Sequence, residues 1–174
     1  MEENRNGREV LGVRVSGMYY GLELSCVEEL LRDPRISPMP WLPEYFVGVC
    51  GWKGGILPVA SLEDMAGGSE EGSAGEKCMD EKSMDVEDVD GQNGGGEKKA
   101  KRRAVIVVRG GGYQCGFLVK QNVSVLFVSE DRRLEGEEEN EDRLLKCFGK
   151  YSVGDEVVAL IDADETLKGM VVCE

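Results

Sequence analysis

An all-β fold built from many short strands in two halves is what this chain of 174 residues predicts. Three observations predict it. Stretches rich in Val, Leu, Ile and Tyr are broken by glycines at short intervals, the pattern of strands joined by tight turns. Where apolar and polar residues alternate, the period is two rather than the 3.6 of a helix, so helices should be few and short. The apolar patterning also stops at Ala66 and resumes only at Ala104, which separates a first half (9–65) from a second half (104–168) and leaves 66–103 as an insert.

Residues 1–8 are polar and charged and are expected to form a flexible N-terminus. From Val10 to Ser16, Leu11, Val13 and Val15 share one face; Ser16-Gly17 then turns the chain into Tyr19–Leu24, giving a first hairpin. Cys26–Leu31 fits either one helical turn or a bent strand. Pro34, Pro38, Pro40 and Pro43 keep the following stretch extended, because proline fixes φ and disfavours helix in the residue before it. Pro43–Gly48 predicts a short helix, with proline at its first position and glycine just past its end. Val49–Trp52 and Ile56–Leu62 flank Lys53-Gly54-Gly55, a tight turn in which glycine supplies the positive φ. Pro58 places the second of these strands at an edge, or at a position where no ladder donor is needed.

In the insert, Glu70–Asp90 carries nine acidic side chains against Lys77 and Lys82, with Met79 and Met84 its largest apolar groups. Such a segment buries too little to offset an ordering cost of about 1–2 kcal/mol per residue, and disorder is expected, with a basic end at Lys98–Arg103. Beyond it, Ala104–Val108 and Gly116–Val119 form a third hairpin through Gly110-Gly111-Gly112, and Val123–Val128 adds a strand. Ser129–Arg143 reads as an exposed acidic loop. Glu156–Ile161 is the last strand, and Asp162-Ala163-Asp164 ends it and leads into a short helix.

Composition excludes several chemistries. With no histidine in the chain, Ser-His and Cys-His pairs and HExxH zinc sites are absent. The six cysteines include no CxxC pair, so neither a zinc ribbon nor a redox motif is present, and five of them read as small core residues, with Cys78 an exposed thiol. Gly110-Gly111-Gly112 followed by Gly116 departs from GxGxxG at Cys115, and Asp162–Glu165 lacks the offsets of a calcium loop. No catalytic residue, metal or cofactor is assigned. A formal charge of −13 disfavours nucleic acid and anionic membrane surfaces, whose affinity comes from Lys and Arg. No apolar run reaches the roughly 18–20 residues of a membrane helix, and the N-terminus has no apolar core of a secretion signal, so a cytoplasmic protein is expected.

Several elements in fixed order carry a resemblance: Tyr20-Gly21-Leu22-Glu23-Leu24; Val27-Glu28-Glu29-Leu30; Pro43-Glu44-Tyr45-Phe46-Val47-Gly48-Val49; and Lys53-Gly54-Gly55-Ile56-Leu57-Pro58-Val59. In the second half, Gly116-Phe117-Leu118-Val119, Ser124-Val125-Leu126 and Gly154–Asp162 continue it. Over residues 9–168, apart from the insert and the acidic loop, the chain resembles the CheW family of chemotaxis coupling proteins. That resemblance implies two small five-stranded SH3-like β-barrels sharing a hydrophobic interface. It also implies a non-catalytic adaptor between the regulatory domain of the histidine kinase CheA and the helical tips of methyl-accepting chemoreceptors. The partner-binding positions it implies are Val27, Glu29, Lys53, Gly54, Asn122 and Val125. Lys53 stands where the family carries arginine, Asn122 where it carries valine, Lys120 where aspartate is usual, Gly51 where asparagine is usual and Trp52 where leucine is common. On the residues alone, Val27 reads first as core packing, Glu29 and Lys53 as solvated charges and Gly54 as turn geometry. A different class, a stand-alone small-ligand-binding or regulatory β module, remains the alternative reading.

Overall fold

The computed structural model describes residues 7–67, 103–120, 123–136 and 144–171. The expectations for residues 68–102, for the centre of the acidic loop and for Asn122 lie outside those residues. Alternation at period two produces strands throughout: β1 (Gly7–Val15), β2 (Met18–Glu23), β3 (Val27–Arg32), β4 (Phe46–Trp52), β5 (Gly55–Ser61), β6 (Ala104–Gly110), β7 (Tyr113–Val119), β8 (Val123–Ser129), β9 (Arg133–Leu134), β10 (Cys147–Val153) and β11 (Glu156–Ile161). Two helices follow β5 and β11: α1 (Leu62–Met65) and α2 (Ala163–Val171). Each helix is started by a polar side chain at the strand end, where Ser61 Oγ accepts from the Asp64 N–H and Asp162 Oδ1 from the Glu165 N–H.

The strands form two sheets, ordered β8-β1-β2-β11-β10-β9 and β3-β6-β7-β5-β4. Aligned this way, the orders match position by position through their first five strands. Each sheet holds one parallel contact, β2 with β11 and β7 with β5. At these contacts a glycine lets two strands approach: a Cβ on Gly21 would crowd Leu160, Val10 and Val158, and one on Gly116 would crowd Val105, Leu57 and Val59. The chain therefore repeats one unit, β1–α1 and then β6–α2, but the units exchange strands. The first sheet takes β1 and β2 from the first unit and β8–β11 from the second; the other takes β3, β4 and β5 from the first and β6 and β7 from the second. Two sequential halves, 9–65 and 104–168, thus describe the sequence repeat and not the sheets, each of which draws on both.

Each sheet curls until its edges meet through connecting chain. After β3, the Asp33 N–H donates to the Arg103 carbonyl (2.9 Å), and Ser37 then exchanges both backbone hydrogen bonds with Val49 of β4 (2.8 and 2.9 Å). After β8, a 3-10 turn at Glu130–Arg132 carries the chain into β9, which pairs with β10. The result is two curled sheets consistent with the expected pair of SH3-like barrels, each with its edges joined through connecting chain along a seam and with no ladder closing it all the way round. Three apolar clusters correspond: one inside each barrel, around Val10, Tyr151 and Leu160 and around Leu57, Val59 and Val105, and a larger one between the sheets holding Leu22, Phe117, Ile106, Leu62 and Leu167.

Three expectations are corrected, and of the two alternatives for Pro58 one is decided. Pro43–Gly48 is not a helix: the Phe46 N–H returns to the Pro43 carbonyl in a single turn, and Phe46 already begins β4, because the Phe46–Ala60 and Gly48–Val59 pairings capture its backbone. Pro58 is not on an edge, since β5 lies between β4 and β7. It is tolerated because its partner Val49 spends both backbone groups on Ser37, leaving no ladder donor to be supplied toward β4. Ordered structure begins within the expected flexible N-terminus, as β1 starts at Gly7. The expected loop at Ser129–Arg143 contains β9. Cys26–Leu31 resolves as a 3-10 turn at Leu24–Cys26 followed by β3, a strand bent by a register shift between Val27 and Glu29.

Candidate functional site

Three of the six expected contact residues come together. The turn between β4 and β5 is a two-residue hairpin in which Lys53 (φ +47) and Gly54 (φ +77) are both left-handed, so it points out from the rim of the second barrel. A Cβ on Gly54 would meet nothing within 4 Å, and the turn stands in open space. At the turn's root, Trp52 Nε1–H donates to Glu29 Oε2 at 2.6 Å, and the Lys53 ammonium lies 4.4 Å from the centroid of the Trp52 ring. Since β3 and β4 are the two edges of this sheet, the Trp52–Glu29 bond crosses the seam and closes the barrel rim. The indole thereby carries an anion at one end and a cation on its face. Ile56, 77% exposed, adds an apolar group beside the turn.

Val27 starts β3 next to this corner, but its half-buried side chain packs against the cluster between the sheets. Val125 is elsewhere: it lies on β8, an edge strand of the other sheet, and is 62% exposed. Phe127, two residues on and 50% exposed, shares its face. Sequence reading missed Phe127, although the period of two that marks Val125 marks it as well. It also missed Trp52's part in the corner, where only the substitution of tryptophan for leucine gave a signal. Lys120, set where aspartate is usual, pairs with Glu63 of α1 at 3.1 Å.

Several other charged groups are paired within the fold. Arg8 bridges Glu23 and Glu130 and stacks 5.5 Å from the Phe148 ring, which ties β1, β2 and the turn after β8 together. Arg109 Nη1 and Gln114 Nε2 both donate to the Glu28 carboxylate. An open cleft of about 440 Å³ between the sheets is lined by Arg8, Glu23, Cys26, Arg109, Asp162 and Asp164. Its arginines and Asp164 already have partners, the last accepting from the Gly111 N–H at 2.7 Å. Among the described residues no group of three or more Cys, Asp or Glu is placed to hold a metal. No described helix is long and apolar enough to cross a membrane.

Of the described cysteines, Cys50 and Cys115 are buried and Cys26 and Cys147 half-buried. Burial pushes Cys115 up to about 12 and Cys26 up to about 11, in the latter case with help from the negative charge of Glu23. An unfolded chain ionises its thiols near 9.0, while these two stay protonated in the fold. The folded state therefore holds more protons across the interval, and stability falls as pH rises from about 9 toward 11–12. Urea unfolding in a reducing buffer at a series of pH values should show this decline, and Cys115→Val should make it shallower. An unchanged slope would show that Cys115 ionises as readily folded as unfolded.

Paired, stitched barrels around a shared apolar interface, with a charged rim on one and an apolar edge strand on the other, define an all-β paired-barrel domain. A family model described as the CheW-like domain matches residues 9–169, and the chain belongs to that family. Among solved structures, it is similar to the scaffolding protein TtCheW from Thermoanaerobacter tengcongensis, with a TM-score of 0.65 and 19% identity over 92% of each chain. At that identity the likeness bears on the fold. A comparison with curated protein sequences found no match.

Proposed function

We propose that this chain is a non-catalytic scaffold of bacterial chemotaxis, coupling methyl-accepting chemoreceptors to the histidine kinase CheA by protein contacts alone, in the cytoplasm and at the receptor array. The observation that carries the reading is membership of the CheW-like family across both barrels, residues 9–169. The surface supports it. Glu29, Lys53 and Gly54 form an exposed corner on one barrel, which suits a broad protein face, and Val125 and Phe127 form an apolar strip on the other, which suits a helix. The alternative, a small-ligand module, draws less support: the cleft between the sheets is lined by charged groups that already have partners in the fold, whereas ligand pockets are mostly apolar with a few free polar groups.

The test is co-sedimentation with a receptor signalling fragment and the kinase. The chain should enter a ternary complex and stimulate no reaction alone, and replacing Val27, Glu29 and Lys53 together by alanine should weaken assembly at least about tenfold. Full assembly by the triple variant would remove this surface from the reading. Absence of any binding to receptor or kinase, with thermal stabilisation by a small metabolite instead, would favour the alternative.

A further inference from the structure

We propose that Trp52 is the specificity-determining residue of the β3/β4 corner: through Nε1–H and ring face it fixes the Glu29 carboxylate and the Lys53 ammonium as one unit. This rests on the reading that the corner is a docking surface, and deepens it by assigning the partner's chemistry. The partner is a protein face, assigned here to the kinase regulatory domain, that presents a cation to Glu29 and a carboxylate to Lys53.

The geometry carries the argument. Glu29, on β3, and Lys53, in the turn between β4 and β5, are exposed long side chains, and holding such groups in one arrangement at an interface costs conformational entropy, about 0.5–1.5 kcal/mol for each immobilised side chain. Here much of that order exists before a partner arrives. The 2.6 Å bond from Trp52 engages Oε2 of Glu29 and leaves Oε1 open among the described residues, while the Lys53 ammonium, stacked 4.4 Å from the ring centroid, forms no ion pair with Glu29. The two charges are thus held close without neutralising each other, an arrangement available to a complementary pair from outside. The indole is anchored in turn, because Trp52 packs against the Cys50–Leu57–Val59 cluster inside the barrel. Neither leucine nor phenylalanine reproduces it. Leucine offers neither donor nor π face, and phenylalanine offers the face alone. The corner is also convex, since its turn projects and Gly54 meets open space, so it fits a broad protein face better than a single helix lying in a groove.

The experiment measures affinity of the full chain for the purified kinase regulatory domain by calorimetry, with Trp52, Trp52→Phe and Trp52→Leu each combined with Glu29→Gln, Lys53→Met and the double substitution. The chain has two tryptophans, so a Trp41→Phe background leaves Trp52 as sole emitter. There, Glu29→Gln and Lys53→Met should each shift the emission of the free protein. In the Trp52 background each charge removal should weaken binding about tenfold, and the double variant by much less than the hundredfold product, because the charges act as a unit. In Trp52→Leu that coupling should vanish and each charge should matter about twofold or less. Trp52→Phe should retain the effect of Lys53 and lose that of Glu29. Thermal melts of both Trp52 variants separate a loss of folding from a loss of positioning. If Glu29→Gln and Lys53→Met weaken binding independently, and equally in all three backgrounds, Trp52 has no positioning role although the docking surface stands. If neither charge removal changes affinity, the corner is not a docking surface, and this inference falls with it.

Discussion

Gly48→Ala should cost roughly 2–6 kcal/mol, a large share of the stability of the whole domain. A Cβ at this position would overlap the Ser37 carbonyl oxygen and lie 2.8 Å from the carbonyl carbon, both backbone atoms that cannot swing aside as a side-chain end can. Gly48 also has φ +152, which an L side chain rarely adopts. Relief requires Ser37 to move away from β4. That movement sacrifices the two hydrogen bonds between Ser37 and Val49, each worth about 0.5–1.5 kcal/mol, on top of about 1–3 kcal/mol of backbone strain. Those bonds stitch the second barrel's seam, so the loss falls where the barrel has no continuous ladder to absorb it. A domain is stable by only about 5–15 kcal/mol. The control lies in the same strand: Gly51→Ala places its methyl in open space and should change stability by less than about 1 kcal/mol. Chemical denaturation of both variants checks the contrast, and equal midpoints would mean that the Ser37 seam contributes nothing.

What the sequence disclosed and what it withheld have physical causes. Leu11, Val13 and Val15 could be placed on one face because side chains alternate strictly along a strand, and the structure buries all three in the cluster between the sheets. The turn at Lys53-Gly54-Gly55 was legible because glycine supplies positive φ at no steric cost, and Gly54 does so at φ +77, although Lys53 before it is left-handed as well. The Pro43–Gly48 segment misled because proline first and glycine last is a local helix signal, whereas the pairing of β4 with β5 is a long-range gain that outweighs it. The strand Cys147–Val153 was hidden for a similar reason: its alternation is blurred by Gly149 and Lys150, and the bulge between Cys147 and Gly149 breaks the period. In the site, residue types could flag Glu29 and Lys53 as charges. That Trp52 joins them depends on β3 and β4 being opposite edges of one curled sheet, a fact of closure that no local window contains.

Exchange of strands between the two repeat units makes the largest prediction. Residues 1–67 and 103–174, produced as separate chains, should each fail to fold alone and should form a folded one-to-one complex when mixed. The first piece holds the hairpins β1-β2 and β4-β5 with β3 between them, and an isolated hairpin is at best marginally stable in water. Four interstrand contacts cross between the pieces: β1 with β8, β2 with β11, β3 with β6, and β5 with β7. Every sheet is therefore incomplete without the other piece, and the shared cluster loses one wall, with Phe117 and Ile106 on one piece and Leu22 and Leu62 on the other. Circular dichroism and urea unfolding should show no cooperative transition for either piece and one sharp transition for the mixture. A cooperative transition in either piece alone would mean that a sequence half is an independent barrel. For a scaffold the interleaving has a mechanical consequence. The charged corner at Glu29 and Lys53 belongs to one sheet and the apolar strip at Val125 and Phe127 to the other, and no single hinge in the chain separates them, because each sheet contains strands from both units. If two partners dock on those surfaces, as proposed above, the same contacts that complete the fold would hold them in fixed relation.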